Sequence, residues 1–191
     1  MGRNESHVIV LSAPSAAGKT TIANHLVDDL PIRFATSATT RSPRENEEHG
    51  DDYYFHSQAS FQELIDEDEL LEYEEVHDNT YYGTLRHEVE TSDKPILLDI
   101  DVKGGMNVKQ TYEENALLLF IAPPSLNILK QRLERRNTHS QQEIQQRLAR
   151  AQIEMTYQEQ YDHVIINDDL DEAVATTKQH IQDWLPSSFN V

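Results

Sequence analysis

Residues 13 to 21, Ala-Pro-Ser-Ala-Ala-Gly-Lys-Thr-Thr, stand between an apolar run, Val8, Ile9, Val10 and Leu11, and the helix-like stretch Ile22-Ala23-Asn24-His25-Leu26-Val27. A buried strand that passes through such a loop into a helix exposes successive backbone N–H groups. The helix N-terminus adds the positive end of its dipole, so a triphosphate finds donors and favourable potential together. Ala13, Pro14, Ser15, Ala16, Ala17, Gly18, Lys19, Thr20 and Thr21 are therefore expected to form a phosphate-binding loop. Lys19 is its cation for the β- and γ-phosphates, and Thr20 supplies the hydroxyl that faces Mg²⁺. The pattern G-x-x-x-x-G-K-[ST] asks for Gly first, whereas this chain has Ala13. Ala fits if φ at position 13 is negative; a positive φ costs a residue with a Cβ about 1 kcal/mol or more.

Further apolar runs, Ile96 to Ile100, Leu117 to Ile121 and Val164 to Ile166, are continuous rather than alternating, as in parallel strands covered by helices on both faces. Helical patterns lie between them at about 20–30, 60–69, 126–136, 141–160 and 171–184. Ser60-x-x-Glu63 and Ser140-x-x-Glu143 read as capping boxes that open two of them. The fold expected is α/β, a three-layer core with a parallel sheet. A chain of 191 residues suits one such domain. Cys is absent, which excludes disulfides and cysteine metal sites. No apolar run approaches the ~18 residues that cross a bilayer, and the polar N-terminus lacks an h-region, so neither membrane insertion nor secretion is expected.

The net charge of −18, from 34 acidic and 16 basic residues, argues against a nucleic-acid partner, since phosphate neutralisation needs a basic face. The basic residues are local: Arg41 and Arg44 in one loop, then Arg132, Arg135, Arg136, Arg147 and Arg150. Focused positive clefts work on an acidic body. Acids such as Glu45, Glu47, Glu48, Asp66, Glu67, Asp68 and Glu69 read as surface, and as a possible adaptation to salt. Residues 35–92 hold five of the eight tyrosines and only short apolar runs, and read as a small β-rich cover. There Pro43 stiffens Thr39-Thr40-Arg41-Ser42-Pro43-Arg44, presenting two guanidinium forks that suit an oxyanion, with tyrosine hydroxyls for a phosphate rim.

The strings ATSATTRSPR, GDDYYF, LLEYEEVHDNTYYGT, ILLDIDVKGG, FIAPPS, RLERRNTHS and VIINDDL, in that order and spacing, resemble the guanylate kinase family over residues 7 to 184. The resemblance implies a P-loop kinase core (7–34, 93–125 and 157–191), a GMP-binding insert (35–92) and a helical lid region (126–156) within one domain. It implies transfer of the ATP γ-phosphoryl group to GMP, and to dGMP, with Mg²⁺ carried by the nucleotide, in a cytoplasmic monomer or homodimer. Residue by residue, Ser37, Arg41, Arg44, Tyr53 and Tyr82 match the family's contacts to the GMP phosphate. Glu72 and Thr84 match its guanine contacts, and Asp99 and Asp101 its acidic pair on the GMP side, with an indirect Mg²⁺ role open to either. Asp101 equally fits a cap on the turn before Gly104-Gly105. Arg132, Arg136 and Arg147 match lid arginines that, with Lys19 and Arg41, stabilise the transferred group. Asn167 matches an adenine-side contact, or else caps the last helix. Asn137 stands where the family usually has Gly, Tyr73 where Trp is common, and Thr80 looks like an added residue. Two other readings remain at this point: an interaction domain that binds a phosphorylated peptide in the GMP cleft, and a P-loop kinase for a phosphorylated sugar.

Overall fold

The computed structural model describes residues 6–77, 79–135 and 140–189. In chain order its elements are β1 (Val8–Ser12), α1 (Lys19–Asp29), β2 (Arg33–Phe34), β3 (Ser37–Thr39), β4 (Tyr54–Phe55), α2 (Gln58–Asp66), β5 (Leu70–His77), β6 (Thr80–Leu85), α3 (Arg86–Glu90), β7 (Ile96–Asp99), α4 (Val102–Tyr112), β8 (Ala116–Ala122), α5 (Leu126–Arg135), α6 (Gln141–Met155), β9 (His163–Ile166) and α7 (Leu170–Trp184).

Five strands form an all-parallel sheet in the order β2-β7-β1-β8-β9. The continuous apolar runs of β1, β7 and β8 follow from burial on both faces, whereas β9, at the sheet edge, leaves Val164 and Ile166 exposed. Val8, Val10, Leu118 and Phe120 pack on one side with Val108 and Tyr112 of α4, while Ile9, Leu11, Leu119 and Ile121 pack on the other with Ile22 and Leu26 of α1 and Ile181 of α7. The three-layer α/β expectation holds. The chain leaves β1 toward α1 and β2 on one side and later crosses to β8 on the other, so the loop after β1 sits at a switch in strand order. Ligands of open α/β sheets bind at such points, beyond the carboxyl ends of the strands.

A second sheet, β4-β3-β6-β5, is built within the insert; β5 and β6 form an antiparallel hairpin, and β3 pairs β6 antiparallel and β4 parallel. Phe61 of α2 joins Ala38, Leu70 and Leu85 in its small core. Near the base of this insert, the buried Glu88 carboxylate accepts from Arg33 Nη1 at 2.7 Å, the Tyr54 hydroxyl at 2.8 Å and the Thr36 N–H at 3.2 Å. Burial alone would raise the Glu88 pKa, but these donors outweigh it and the net shift is downward.

Two local expectations need correction. The Ser140 capping box forms, with both reciprocal bonds. The Ser60 box does not: the N-cap of α2 is Ser57, whose side chain accepts from the Ser60 N–H, because the helix begins three residues earlier. The pattern at 141–160 ends as α-helix at Met155 and continues as a short 3₁₀ turn at Gln158–Gln160. No helix among the described residues is long and apolar enough to cross a membrane.

Candidate active site

The phosphate loop takes its shape from two backbone positions. Gly18, the N-cap of α1, has φ 101°, and a Cβ there would fall 2.2 Å from Asn167 Nδ2, so both conformation and space demand glycine. Ala13 is not among the residues of positive φ, so the missing first glycine leaves the loop's conformation intact. The strain sits instead at Ala16, with φ 71°. An L-residue there costs roughly 1–2 kcal/mol.

Side chains from distant segments close on this loop. Asn167, buried just past the end of β9, donates from Nδ2 to the Ala17 carbonyl at 2.7 Å. It does not cap the last helix; Asp169 does, accepting from the Glu172 N–H at 3.0 Å. Arg132 of α5 donates to the Asn167 carbonyl at 2.8 Å, and Arg147 of α6 donates to the Ser15 hydroxyl at 2.8 Å. Both lid arginines that the structure describes therefore converge on the phosphate loop. Arg136, the third, lies outside the described residues, as does the Arg136-Asn137-Thr138 turn. Lys19 Nζ donates to the Ile100 carbonyl at 3.1 Å and forms an ion pair with Asp99 at the end of β7. Thr20 and Thr21 are exposed in the first turn of α1, while Pro14 is buried.

Asp101 is the N-cap of α4, accepting from the Gly104 N–H at 2.7 Å. The capping alternative raised for this residue is therefore correct. Ser12, which the sequence did not single out, donates to the Ile100 carbonyl at 2.9 Å and the Asp101 carbonyl at 3.2 Å, tying the end of β1 to this turn. Its only signal was a hydroxyl at the end of an apolar run.

Across the cleft the insert gathers the predicted tyrosines and one of the two loop arginines. Arg41 Nε donates to the Tyr82 hydroxyl at 3.2 Å, and its guanidinium lies 5.2 Å from the centroid of Tyr53. Arg41 also makes a bidentate pair with Glu47, at 2.8 and 3.0 Å. Glu47 was read as plain surface; instead it is clamped, and Arg41, with the Arg44 N–H, holds its carboxyl down at about 2. The Arg44 side chain itself is exposed. Thr39 accepts from the Arg41 N–H at 3.2 Å and donates to the Tyr81 carbonyl at 2.9 Å, fixing the arginine loop to β6.

Ser37 and Thr84 are paired residues on β3 and β6, and Thr84 pairs Glu72 on β5. The Thr84 hydroxyl donates to Glu72 Oε1 at 2.7 Å, in a wall where Glu72 is 7% exposed. A Cβ on Gly104 would lie 2.8 Å from Glu72 Oε2, so this glycine makes room for the carboxylate. Burial pushes the Glu72 carboxyl up to about 7; the Thr84 hydroxyl opposes this, and the nearby Asp101 and Glu74 charges add to it. A buried carboxylate is suited to accept paired N–H donors. Tyr73, beside it, is half exposed, and Thr80 is the first residue of β6, paired with His77, where the ladder shifts register between Glu75 and His77.

No group of three or more His, Asp or Glu placed to hold a metal ion occurs among the described residues. The hard oxygens near the loop are the Thr20 hydroxyl and the Asp99 and Asp101 carboxylates. That set fits an ion that arrives on phosphates and keeps waters rather than one caged by protein.

A phosphate loop at the switch point of a five-stranded parallel sheet, faced by a basic helical pair and by a second small sheet, defines the class of P-loop phosphotransferases. Residues 5–184 match the family profile described as Guanylate kinase. The guanylate kinase of Salinibacter ruber is 49% identical over 186 residues, covering 96% of this chain and 99% of that one. That of Bacteroides fragilis is 44% identical over 185 residues, covering 95% and 91%. A crystal structure of guanylate kinase from Anaplasma phagocytophilum superposes with a TM-score of 0.75 at 30% identity, over 93% of this chain and 85% of that one. The chain belongs to the guanylate kinase family, and so is a nucleoside monophosphate kinase.

Proposed function

We propose that this chain transfers the γ-phosphoryl group of ATP to GMP, giving ADP and GDP, with the residues above in stated roles. The observation that carries the base specificity is the buried Glu72 carboxylate braced by Thr84. Guanine offers N1–H and N2–H₂ to one carboxylate, a pair of donors adenine lacks, and a site of that kind rejects the wrong partner by up to roughly 10⁴-fold. dGMP retains both donors and is expected as a second acceptor. The GMP phosphate takes the place of the Glu47 carboxylate on Arg41, with Arg44, Ser37, Tyr53 and Tyr82 at its rim. ATP phosphates take the loop N–H groups and Lys19, drawing on Arg132, Arg136 and Arg147, while Asn167 braces the loop beside the adenine side. Thr20 would hold Mg²⁺ bound to ATP, and the ion supplies charge neutralisation on the transferred group. Asp99 holds Lys19 between the two substrates, and Asp101 fixes the adjoining turn.

Phosphoryl transfer asks of the protein position and charge more than covalent chemistry. Closing the insert and the helical pair over the cleft excludes water, which competes with GMP as acceptor. The domain is read as one unit, core 7–34, 93–125 and 157–191, insert 35–92 and lid region 126–156, working in the cytoplasm as a monomer or homodimer. The test is a coupled assay of ADP release with ATP and Mg²⁺, comparing GMP, dGMP, AMP, UMP, a ribose phosphate and no acceptor. ADP release that depends on GMP and dGMP supports the reading; equal rates with AMP, or with no acceptor, would overturn it.

A further inference from the structure

The helix α6 touches both halves of the cleft. Arg147 reaches the phosphate loop at Ser15, and Arg150, three residues on and so on the same side of the helix, reaches the insert. Arg150 Nη2 donates to both oxygens of Glu74 on β5, at 2.8 and 3.1 Å, while its Nε is held by Glu154 at 2.9 Å. Glu74 lies two residues from Glu72, on the same face of β5, and pairs across the hairpin with Tyr82, the partner of Arg41. Asp101, the cap of α4, also faces Glu74; burial first, and then Asp101, push the Glu74 carboxyl upward, which the Arg150 guanidinium opposes.

Arg150 and Glu74 are 42% and 29% exposed, so as a stability element the pair counts for little. Its geometry is another matter. One guanidinium ties the helix that senses the phosphate loop to the strand that carries the guanine-reading carboxylate, over 76 residues of sequence. Were ATP phosphates to draw Arg147 away from Ser15, a shift of α6 would be passed through Arg150 and Glu74 to β5.

We propose that Arg150 is a positioning residue whose bridge to Glu74 couples occupancy of the phosphate loop to the affinity of the guanine pocket. The proposal rests on the ATP:GMP reading above. Coupling of this kind is reciprocal, and a factor on the order of 5–10 is expected.

The experiment is calorimetric titration of GMP into the full chain, with and without a saturating non-hydrolysable ATP analogue and Mg²⁺. In the unaltered protein the analogue is expected to tighten GMP about 5- to 10-fold. In Arg150→Met this factor falls below about 2, while GMP affinity without the analogue changes less than about 3-fold and the melting temperature is kept. Glu74→Gln, nearly isosteric, does the same, and the double variant loses nothing more, as expected of partners in one interaction. In steady state the variants raise the GMP KM at saturating ATP and leave kcat near its starting value. A coupling factor of 1 in the unaltered protein, or an unchanged factor in Arg150→Met, overturns the proposal. Failure of the unaltered protein to bind GMP in either condition overturns the functional reading instead.

Discussion

The two anion sites in this cleft rest on different terms. At the phosphate loop, Arg132 leans on a backbone carbonyl and Arg147 on a serine hydroxyl, both neutral acceptors. In the insert, Arg41 is gripped by both oxygens of a glutamate. Residues 35–92 hold 16 acidic and three basic residues, a net of −13 out of −18 for the whole chain. On the proposed reading, a phosphate entering the loop displaces neutral acceptors from Arg132 and Arg147 and a carboxylate only from Lys19, whereas one entering the insert displaces a carboxylate from Arg41 and does so within a strongly acidic segment. That reading implies discrimination: the loop would favour any polyphosphate, and the insert would admit an anion only if the rest of the ligand adds binding of its own. In the proposed function, guanine on Glu72 is that addition. Lys19, paired with Asp99, stands between the two sites.

The sharpest way to separate them is to remove one cation from each. Lys19→Ala takes away the charge nearest the transferred phosphoryl group and is expected to lower kcat on the order of 10³-fold, with GMP binding in the absence of ATP nearly unchanged. Arg41→Ala is expected to raise the GMP KM on the order of 10²-fold, because it also strands Glu47 without its partner. Steady-state kinetics with each substrate varied in turn reads both. If Lys19→Ala raises only the GMP KM, or Arg41→Ala lowers only kcat, the assignment of the two sites is reversed.

Glu72 sharpens the contrast through pH. A carboxyl pushed up to about 7 is partly protonated near neutrality, and a protonated oxygen cannot accept both guanine donors. The value of kcat/KM for GMP is therefore expected to rise across pH 6.5–8, above the phosphate's own ionisation near 6. Glu72→Gln should lose that rise and lower kcat/KM about 10- to 100-fold at pH 8. Stability runs the other way. The folded pKa, about 7, lies above the ordinary 4.5, so the protonated form stabilises the GMP-free fold fully below pH 4.5, and this contribution is lost as pH rises through 7. Its size is at most about 3 kcal/mol. Chemical denaturation at pH 5 and pH 8, with the Gln variant as control, isolates this slope; a variant with the same slope as the parent would show that Glu72 is ionised throughout.

Much of this architecture is legible in the sequence, and the gaps have physical causes. Continuous apolar runs announce β1, β7 and β8, since strands covered on both faces carry little else; β9 shows the same kind of run although, at the sheet edge, its Val164 and Ile166 stay exposed. The phosphate loop is contiguous, so its residues declare themselves together. Helix α4 does not, because Gly104 and Gly105 each weaken a helix by about 1 kcal/mol. The reason for them lies elsewhere in the fold: a Cβ at Gly104 would meet Glu72, and one at Gly105 would fall 2.5 Å from the Tyr161 hydroxyl. The role of Glu47 is hidden for a different reason, as it stands in a run of acids and only the chain's return past Arg41 selects it. The guanine wall joins Glu72 and Thr84 across a hairpin, and their family resemblance, not their spacing, brought them forward. The local pattern Ser60-x-x-Glu63 points to the wrong serine, since α2 begins at Gln58 and Ser57 takes the capping position.

The smallest effect expected is also the one that tests the comparison without a mutation. Salt screens attraction and repulsion alike, over a Debye length of about 8–10 Å at moderate ionic strength. In the proposed function ATP meets the loop and the lid arginines, where attraction dominates, so its KM should rise steadily from about 0.05 to about 0.5 M KCl. In the proposed function GMP meets two arginines set in an insert of net −13, where screening weakens the attraction of Arg41 and Arg44 and the repulsion of the surrounding acids together. The GMP KM is therefore expected to change less than about 2-fold over a range in which the ATP KM changes several-fold. The same acids repel one another within the folded chain, so the melting temperature should climb a few degrees over that salt range, and more than half of the gain should vanish if exposed acids of the insert, Glu67 and Asp66 among them, are made neutral. Equal salt slopes for the two substrates would mean that the insert's charge is felt throughout the cleft, and that the two anion sites differ in their immediate partners alone.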